Sequence, residues 1–222
     1  EDPQTGQTFT TEEMVDQVAI FFLAGHETSA SALAWALYLM ATHPDWQDRL
    51  AAEGQGVTED FATVSQLKLA RDVFREALRL YPPAAMVSRT AMKDDTLCGT
   101  EIRKGDTVIV PIYALHRHHA LWDAPDTFRP ERFEDRKAVP RYSYLPFGDG
   151  PRVCIGASFA LQEAVIILAT LLGRFRFTRV KGRDPDPVMI LTMTLVMIVV
   201  MIGCTIFYRT HDMPPIDLLS KR

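Results

Sequence analysis

The chain has 222 residues, enough for one sizeable domain or two small ones, and its 47% hydrophobic and 23% charged residues are ordinary globular values. A formal net charge of −4 argues against a nucleic-acid footprint. The three cysteines, Cys98, Cys154 and Cys204, lie far apart, which excludes a disulfide framework and a Cys-x-x-Cys metal site and fits a reducing compartment.

The opening EDPQTGQTFTTEEM lacks the basic stretch and apolar core of a signal peptide and reads as a polar loop, as of a chain entered partway. Thr10 and Glu13 have capping-box spacing. From Thr11 to about Thr42 there is no proline, and alanine, leucine and methionine dominate, which predicts one long helix with Gly25 in its middle. Pro44 is expected to open a second helix, PDWQDRLAAE. The glycines of AAEGQGVTED predict a loop. Ser65 precedes QLKLARDVFREALRL, a helix expected to stop before Pro82 and Pro83.

Between residues 84 and 113 the character changes. AAMVSRTAM, DTLCGTEI and DTVIVPIY are short β-prone runs that predict a small antiparallel sheet. LHRHHALWDAPDTFRPERFED carries prolines and is expected to be a long ordered loop with one short helix. ASFALQEAVIILATLLGRF reads as an apolar helix, and RFRFTRV alternates like a strand. Val188–Tyr208 is 21 residues without a charge. Its length fits a membrane span, and its Val, Ile and Thr content fits a pair of buried strands.

FGDGPRVCIG, Phe147 to Gly156, raises the question of chemistry. Three readings of Cys154 compete. It is a buried structural thiol, or a nucleophile near a helix N-terminus with His116, His118 or His119 as base, or an axial thiolate ligand to haem iron. Gly148, Gly150 and Gly156 permit close backbone approach and positive φ. Arg152 could reach a propionate, and Phe147 could lie on a flat macrocycle. No spacing places a histidine beside Cys154, so haem ligation accounts for more of the local residues.

The stretch resembles the cysteine-ligand loop of the cytochrome P450 family, and three further blocks follow in that family's order. AGHETSA (Ala24–Ala30) resembles the oxygen-activation segment of its long distal helix. REALRLYPP carries a Glu-x-x-Arg pair, Glu76 and Arg79. FRPERF (Phe128–Phe133) resembles the segment that supplies Arg132. The resemblance covers roughly Glu1 to Thr194. It implies a mainly α fold with a small antiparallel β region, a partial cytochrome P450 fold. Residues 1–194 would form the C-terminal part of a haem domain, and 195–222 an atypical apolar tail.

The implied activity is haem-thiolate monooxygenation, an oxidoreductase reaction that inserts one oxygen atom of O2 into a small organic substrate. Cys154 would be the iron ligand, with Arg152, Phe147, Gly148, Gly150, Gly156, Arg89, Gly25 and His116 as cofactor contacts. Thr28 and Glu27 would be the oxygen-activation pair. Gly25 leaves room for dioxygen beside the backbone, and the Thr28 hydroxyl is expected to bond back to the Ala24 carbonyl. Glu76, Arg79 and Arg132 would form a buried structural network. Ala84, Ala85, Met86 and Val87 would wall the substrate, whereas His118 and His119 would lie at the surface.

No GxGxxG fingerprint follows a strand, so electrons are expected from a reductase or ferredoxin partner. The chain starts just before the distal-helix block, as a truncated copy would, and LVMIVVMIGCTIFYRTHDMPPIDLLSKR stands where a polar returning strand is expected. The expected localisation is cytoplasmic, or membrane-associated through 188–208. Two other functions stay open: a non-catalytic membrane-associated fragment and a cysteine-dependent hydrolase.

Overall fold

The structure is a computed structural model, and it describes residues 6, 8–57, 61–180, 182, 185–189, 193–195 and 207–208. Helix α1 spans Thr11–Thr42. The capping box forms as expected: the Glu13 N–H donates to Thr10 Oγ1 at 3.2 Å, and the Thr10 N–H donates to the Glu13 carboxylate at 2.8 Å. The C-terminal half of α1 buries Trp35, Ala36, Leu39 and Met40. Its N-terminal half leaves apolar side chains in the open, with Phe22 66% and Leu23 71% exposed.

Helix α2 spans Pro44–Gly54, with Pro44 at its first turn. It runs past Ala51, so the loop expected over AAEGQGVTED starts later than its glycines imply. Tertiary packing is the reason. A Cβ on Gly54 would sit 2.2 Å from the Ala169 carbonyl oxygen and 3.1 Å from the Gly173 Cα. Gly54 is therefore the point of closest approach to α6 (Ala157–Arg174) rather than a helix breaker. Gln47 adds a polar tie. Its side-chain amide donates to the Met40 and Phe177 carbonyls, each at 2.9 Å, and accepts the Phe177 N–H at 2.6 Å.

A short helix α3 (Phe61–Val64) precedes α4 (Lys68–Leu80). Ser65 does not cap α4, because its hydroxyl donates to the Ala62 carbonyl at 2.8 Å. The cap comes from across the fold: the Glu53 carboxylate accepts the N–H groups of Leu69 and Ala70 at 2.9 and 2.8 Å. Helix α4 ends before Pro82, as expected, and packs Val73, Phe74, Ala77 and Leu78 against α1 and α6.

The β region departs from the expected single sheet. Strand β1 (Val87–Thr90) pairs antiparallel with β4 (Thr107–Val110), while β2 (Asp95–Leu97) and β3 (Thr100–Ile102) form a separate hairpin. DTLCGTEI breaks at Cys98 and Gly99, with φ of 50° and 80°, a backbone only a two-residue hairpin turn requires. After α5 (Ile112–Leu115) the long segment carries two short 3₁₀ turns, Pro130–Phe133 and Arg136–Ala138.

The expected strand over RFRFTRV shortens to β5 (Phe175–Arg176), which pairs with β8 (Phe207–Tyr208). Strands β6 (Pro187–Met189) and β7 (Met193–Leu195) pair antiparallel. The rest of the apolar stretch 188–208, Cys204 and most of the tail 195–222 lie outside the described residues. Among the described residues one helix, α6, is long and apolar enough to cross a membrane. Its Leu168 and Leu172 are fully buried in the core shared with α1, α2 and α4.

The crossing of α2 over α6 yields a direct expectation. Gly54→Ala drives a methyl into backbone, which cannot swing aside, so we expect roughly 1–3 kcal/mol of destabilisation. A thermal melt should show the midpoint fall by about 2–4 °C per kcal/mol for a chain of this size.

Candidate active site

The cysteine loop is built from main-chain hydrogen bonds. The Gly148 N–H donates to the Leu145 carbonyl at 3.0 Å, the Val153 N–H to Gly150 at 3.0 Å, and the Cys154 N–H to Phe147 at 2.9 Å. Gly148 and Gly150 have φ of +72° and +74°, so the two reversals need glycine. Gly156 does not, since its φ is −84°. A Cβ there would lie 3.9 Å from Cys154 Sγ, an ordinary van der Waals contact. The 3₁₀ turn Gly150–Arg152 is opened by Asp149, whose carboxylate accepts the Gly150 N–H at 2.7 Å.

This frame presents Cys154 as an exposed thiol immediately before α6. The apolar residues around it are exposed as well, with Ile155 84% and Phe159 71% accessible. Phe147 packs half-buried against the core. The Arg152 side chain is exposed, and so is that of Arg89 on β1, whose guanidinium donates to the Ser88 carbonyl at 2.7 Å.

Behind the loop lies the buried charge network. Arg79 and Glu76 are both fully buried and pair through two bonds, Nε to Oε2 at 2.7 Å and Nη2 to Oε1 at 2.8 Å. Arg79 Nη1 donates to the carbonyls of His116 at 2.8 Å and Pro125 at 2.6 Å, and Nη2 reaches Thr127 at 3.3 Å. All five guanidinium donors are thereby used. The guanidinium also lies 5.1 Å from the Trp122 ring centroid. Glu76 Oε1 additionally accepts the Arg129 N–H at 2.8 Å and Arg132 Nε at 3.4 Å. Burial lowers the Arg132 pKa, and the Glu76 charge opposes that shift.

His116 belongs to this cluster rather than to an open face. It is fully buried, Nδ1 lies 3.2 Å from the Arg79 carbonyl, and Nε2 accepts the Leu145 N–H at 2.8 Å. An accepting Nε2 places the ring proton on Nδ1, where it donates to Arg79. Burial pushes the pKa down to about 4. Arg117 closes the end of α4 by donating to the Leu80 carbonyl, while His118 and His119 are exposed, as expected.

On α1, the Thr28 hydroxyl donates to the Ala24 carbonyl at 2.7 Å, as its spacing implies. A Cβ on Gly25 would meet nothing within 4 Å, so the helix face there is open. Glu27 and Thr28 are half-buried. Of the expected substrate wall, Ala85 is buried, Met86 is exposed, and Ala84 and Val87 are half-buried. The network partners that sequence reasoning missed are the carbonyls of Pro125 and Thr127 and the N–H groups of Arg129 and Leu145. Main-chain atoms carry no residue-type signal, so nothing in the sequence marks them.

The residues present fit a haem. An exposed thiol on a fixed loop offers a ligand, and exposed apolar residues around it suit the face of a flat macrocycle. Arg152 and Arg89 are exposed cations of the kind that bind propionates.

The network makes its own forecast. Glu76→Ala leaves the Arg79 guanidinium buried without its counter-charge, an expected cost of roughly 3–5 kcal/mol. Denaturant unfolding should show the midpoint fall by a corresponding amount, and a loss below about 1 kcal/mol would contradict a buried pair and match an exposed one.

Comparison with known proteins identifies the family. The family model described as Cytochrome P450 matches residues 1–202. The chain is 43% identical over 191 residues to the bifunctional cytochrome P450/NADPH–P450 reductase 2 of Bacillus subtilis (strain 168), covering 82% of this chain and 18% of that protein. It is 42% identical over 193 residues to the cyclooctatin synthase of Streptomyces melanosporofaciens, covering 84% of this chain and 42% of that protein. Human cytochrome P450 3A5 is 42% identical over 175 residues, covering 76% of this chain and 35% of that protein. The chain thus spans less than half the length of each of these relatives. With the family model matched over most of its length and the glycine-framed Cys154 loop formed, this chain belongs to the cytochrome P450 family.

Proposed function

We propose that residues 1–194 are the C-terminal part of a haem-thiolate monooxygenase domain, with Cys154 as the iron ligand and a small organic molecule as substrate. The observation that carries this is the exposed Cys154 thiol, held between the Gly148–Gly150 reversals and the start of α6. A nucleophilic role needs a base, and the one buried candidate, His116, has both ring nitrogens engaged by main chain.

When bound, the haem supplies the electron-rich iron chemistry that thiolate ligation favours. The chain's own residues do the rest. Cys154 would hold the iron, Arg152 and Arg89 would neutralise the propionates, and Phe147, with the small Gly148, Gly150 and Gly156, would leave the macrocycle room. Thr28 keeps its proton on Oγ1 through the Ala24 carbonyl, leaving lone pairs on that oxygen free to accept from a proton donor beside Gly25. Glu27, the preceding residue, is the titratable group that would feed protons to it. Two-electron supply would come from a reductase or ferredoxin. That one relative's name joins a P450 to an NADPH–P450 reductase supports such a donor. Any membrane association would run through the uncharged stretch 188–208.

The test is spectroscopic. Protein loaded with haem and reduced under carbon monoxide should show the red-shifted Soret band of thiolate ligation, and Cys154→Ser should remove it. A stable band at the unshifted position in the parent would sink the reading. Thr28→Val, similar in shape but without the hydroxyl, should keep the band and lower product formation by roughly 100-fold.

A further inference from the structure

We infer that His116 is the positioning residue of the cysteine loop, holding the Leu145 N–H through Nε2 while Nδ1–H anchors the ring to the Arg79 carbonyl. The inference rests on the reading of Cys154 as ligand, and it adds a residue that couples the charge network to the ligand's placement.

The geometry leaves His116 little other purpose. The ring is fully buried and lies 5.3 Å from the Tyr144 ring at an interplanar angle of 24°. Tyr144 is itself fixed, its hydroxyl donating to the Arg75 carbonyl at 3.0 Å. The His116 carbonyl accepts Arg79 Nη1 at 2.8 Å, so one residue receives from the network at its main chain and returns to it through its ring. At the other end, Leu145 opens the ligand loop. Its carbonyl accepts the Gly148 N–H, and two residues on, the Phe147 carbonyl accepts the Cys154 N–H. The loop's first contact with the buried network is therefore the Leu145 N–H on an imidazole nitrogen.

That contact exists only for the neutral ring, because a protonated Nε2 donates and cannot accept. The charged and titratable groups acting on the ring are Arg79 from α4, Arg117 beside it, and Tyr144 stacked on it. The two arginines and burial all oppose a positive imidazole. The sign follows. The ring's pKa is about 6.5 when released and about 4 when held. The held state therefore binds fewer protons, and its advantage is complete above pH 6.5 and declines as pH falls toward 4.

The experiment follows the Leu145 amide by site-resolved hydrogen exchange and the thiolate Soret band by absorbance. Both are measured on the haem-loaded protein across this pH range, with far-UV circular dichroism to register global unfolding. In the parent, Leu145 protection and the thiolate band should decline together before the helix signal does. His116→Ala should speed Leu145 exchange at neutral pH by about tenfold or more. His116→Gln, whose amide oxygen can accept at the same place without titrating, should restore protection and move the acid loss about one pH unit lower.

Should His116→Ala fail to fold, the parent and His116→Gln titrations still decide. If their Leu145 and Soret transitions coincide, the inference is overturned while the thiolate reading stands. A parent that shows His116-dependent Leu145 protection but never a thiolate band keeps the clamp and removes the haem reading.

Discussion

Taking Glu76 and Arg79 fully out of water costs several kcal/mol per ion, and the cost is met only where every donor and acceptor finds a partner. Arg79 has five N–H donors, and Glu76 alone cannot fill them. The remainder is supplied by the carbonyls of His116, Pro125 and Thr127, which belong to an irregular segment. The pair thus forces a long loop to adopt one path, and that loop in turn finds partners for carbonyls that a buried irregular chain would otherwise strand. The same segment is also held by Arg117 on the Leu80 carbonyl and by Phe128, Trp122 and Phe133 in their apolar contacts.

Order passes from the network to the thiol through few links. Arg79 fixes His116, His116 takes the Leu145 N–H, and Leu145 and Phe147 carry the hydrogen bonds that shape the cysteine loop. On the other side the loop ends at Gly156, where α6 begins, and α6 is located by the backbone contact of Gly54 with Ala169 and Gly173. An exposed side chain is in this way held by buried groups at both flanks. The α1 face at Gly25 is open by contrast, and its neighbours Phe22 and Leu23 are exposed.

Much of the site was legible because its signals are local or unusual. The Thr10–Glu13 box, the limits of α1 and α6, and the Thr28 hydroxyl on the Ala24 carbonyl depend on residues within one helical turn or on composition along one element. Glu76 and Arg79 share a helix face by spacing alone, although their burial does not follow from it, since most such pairs are solvated. Other features resisted reading because one residue type serves opposed ends. Glycine at 54 reads as a breaker and acts as a contact, while glycine at 99 completes a turn inside what looked like one strand. The start of α4 is capped by a carboxylate from α2, a partner distant along the chain.

The sequence by itself determined the thiol, the glycines that bend the chain ahead of it, the helix that follows, and the family these belong to, because each is set by side-chain chemistry at short range. Only the tertiary structure decided which groups those residues meet: that His116 is turned inward to Leu145 and Arg79, that Glu53 caps α4, and that α2 and α6 touch at their glycines. Those partners are main-chain atoms or residues distant along the chain. A carbonyl has the same chemistry at every position, so its selection depends on where the whole fold places it.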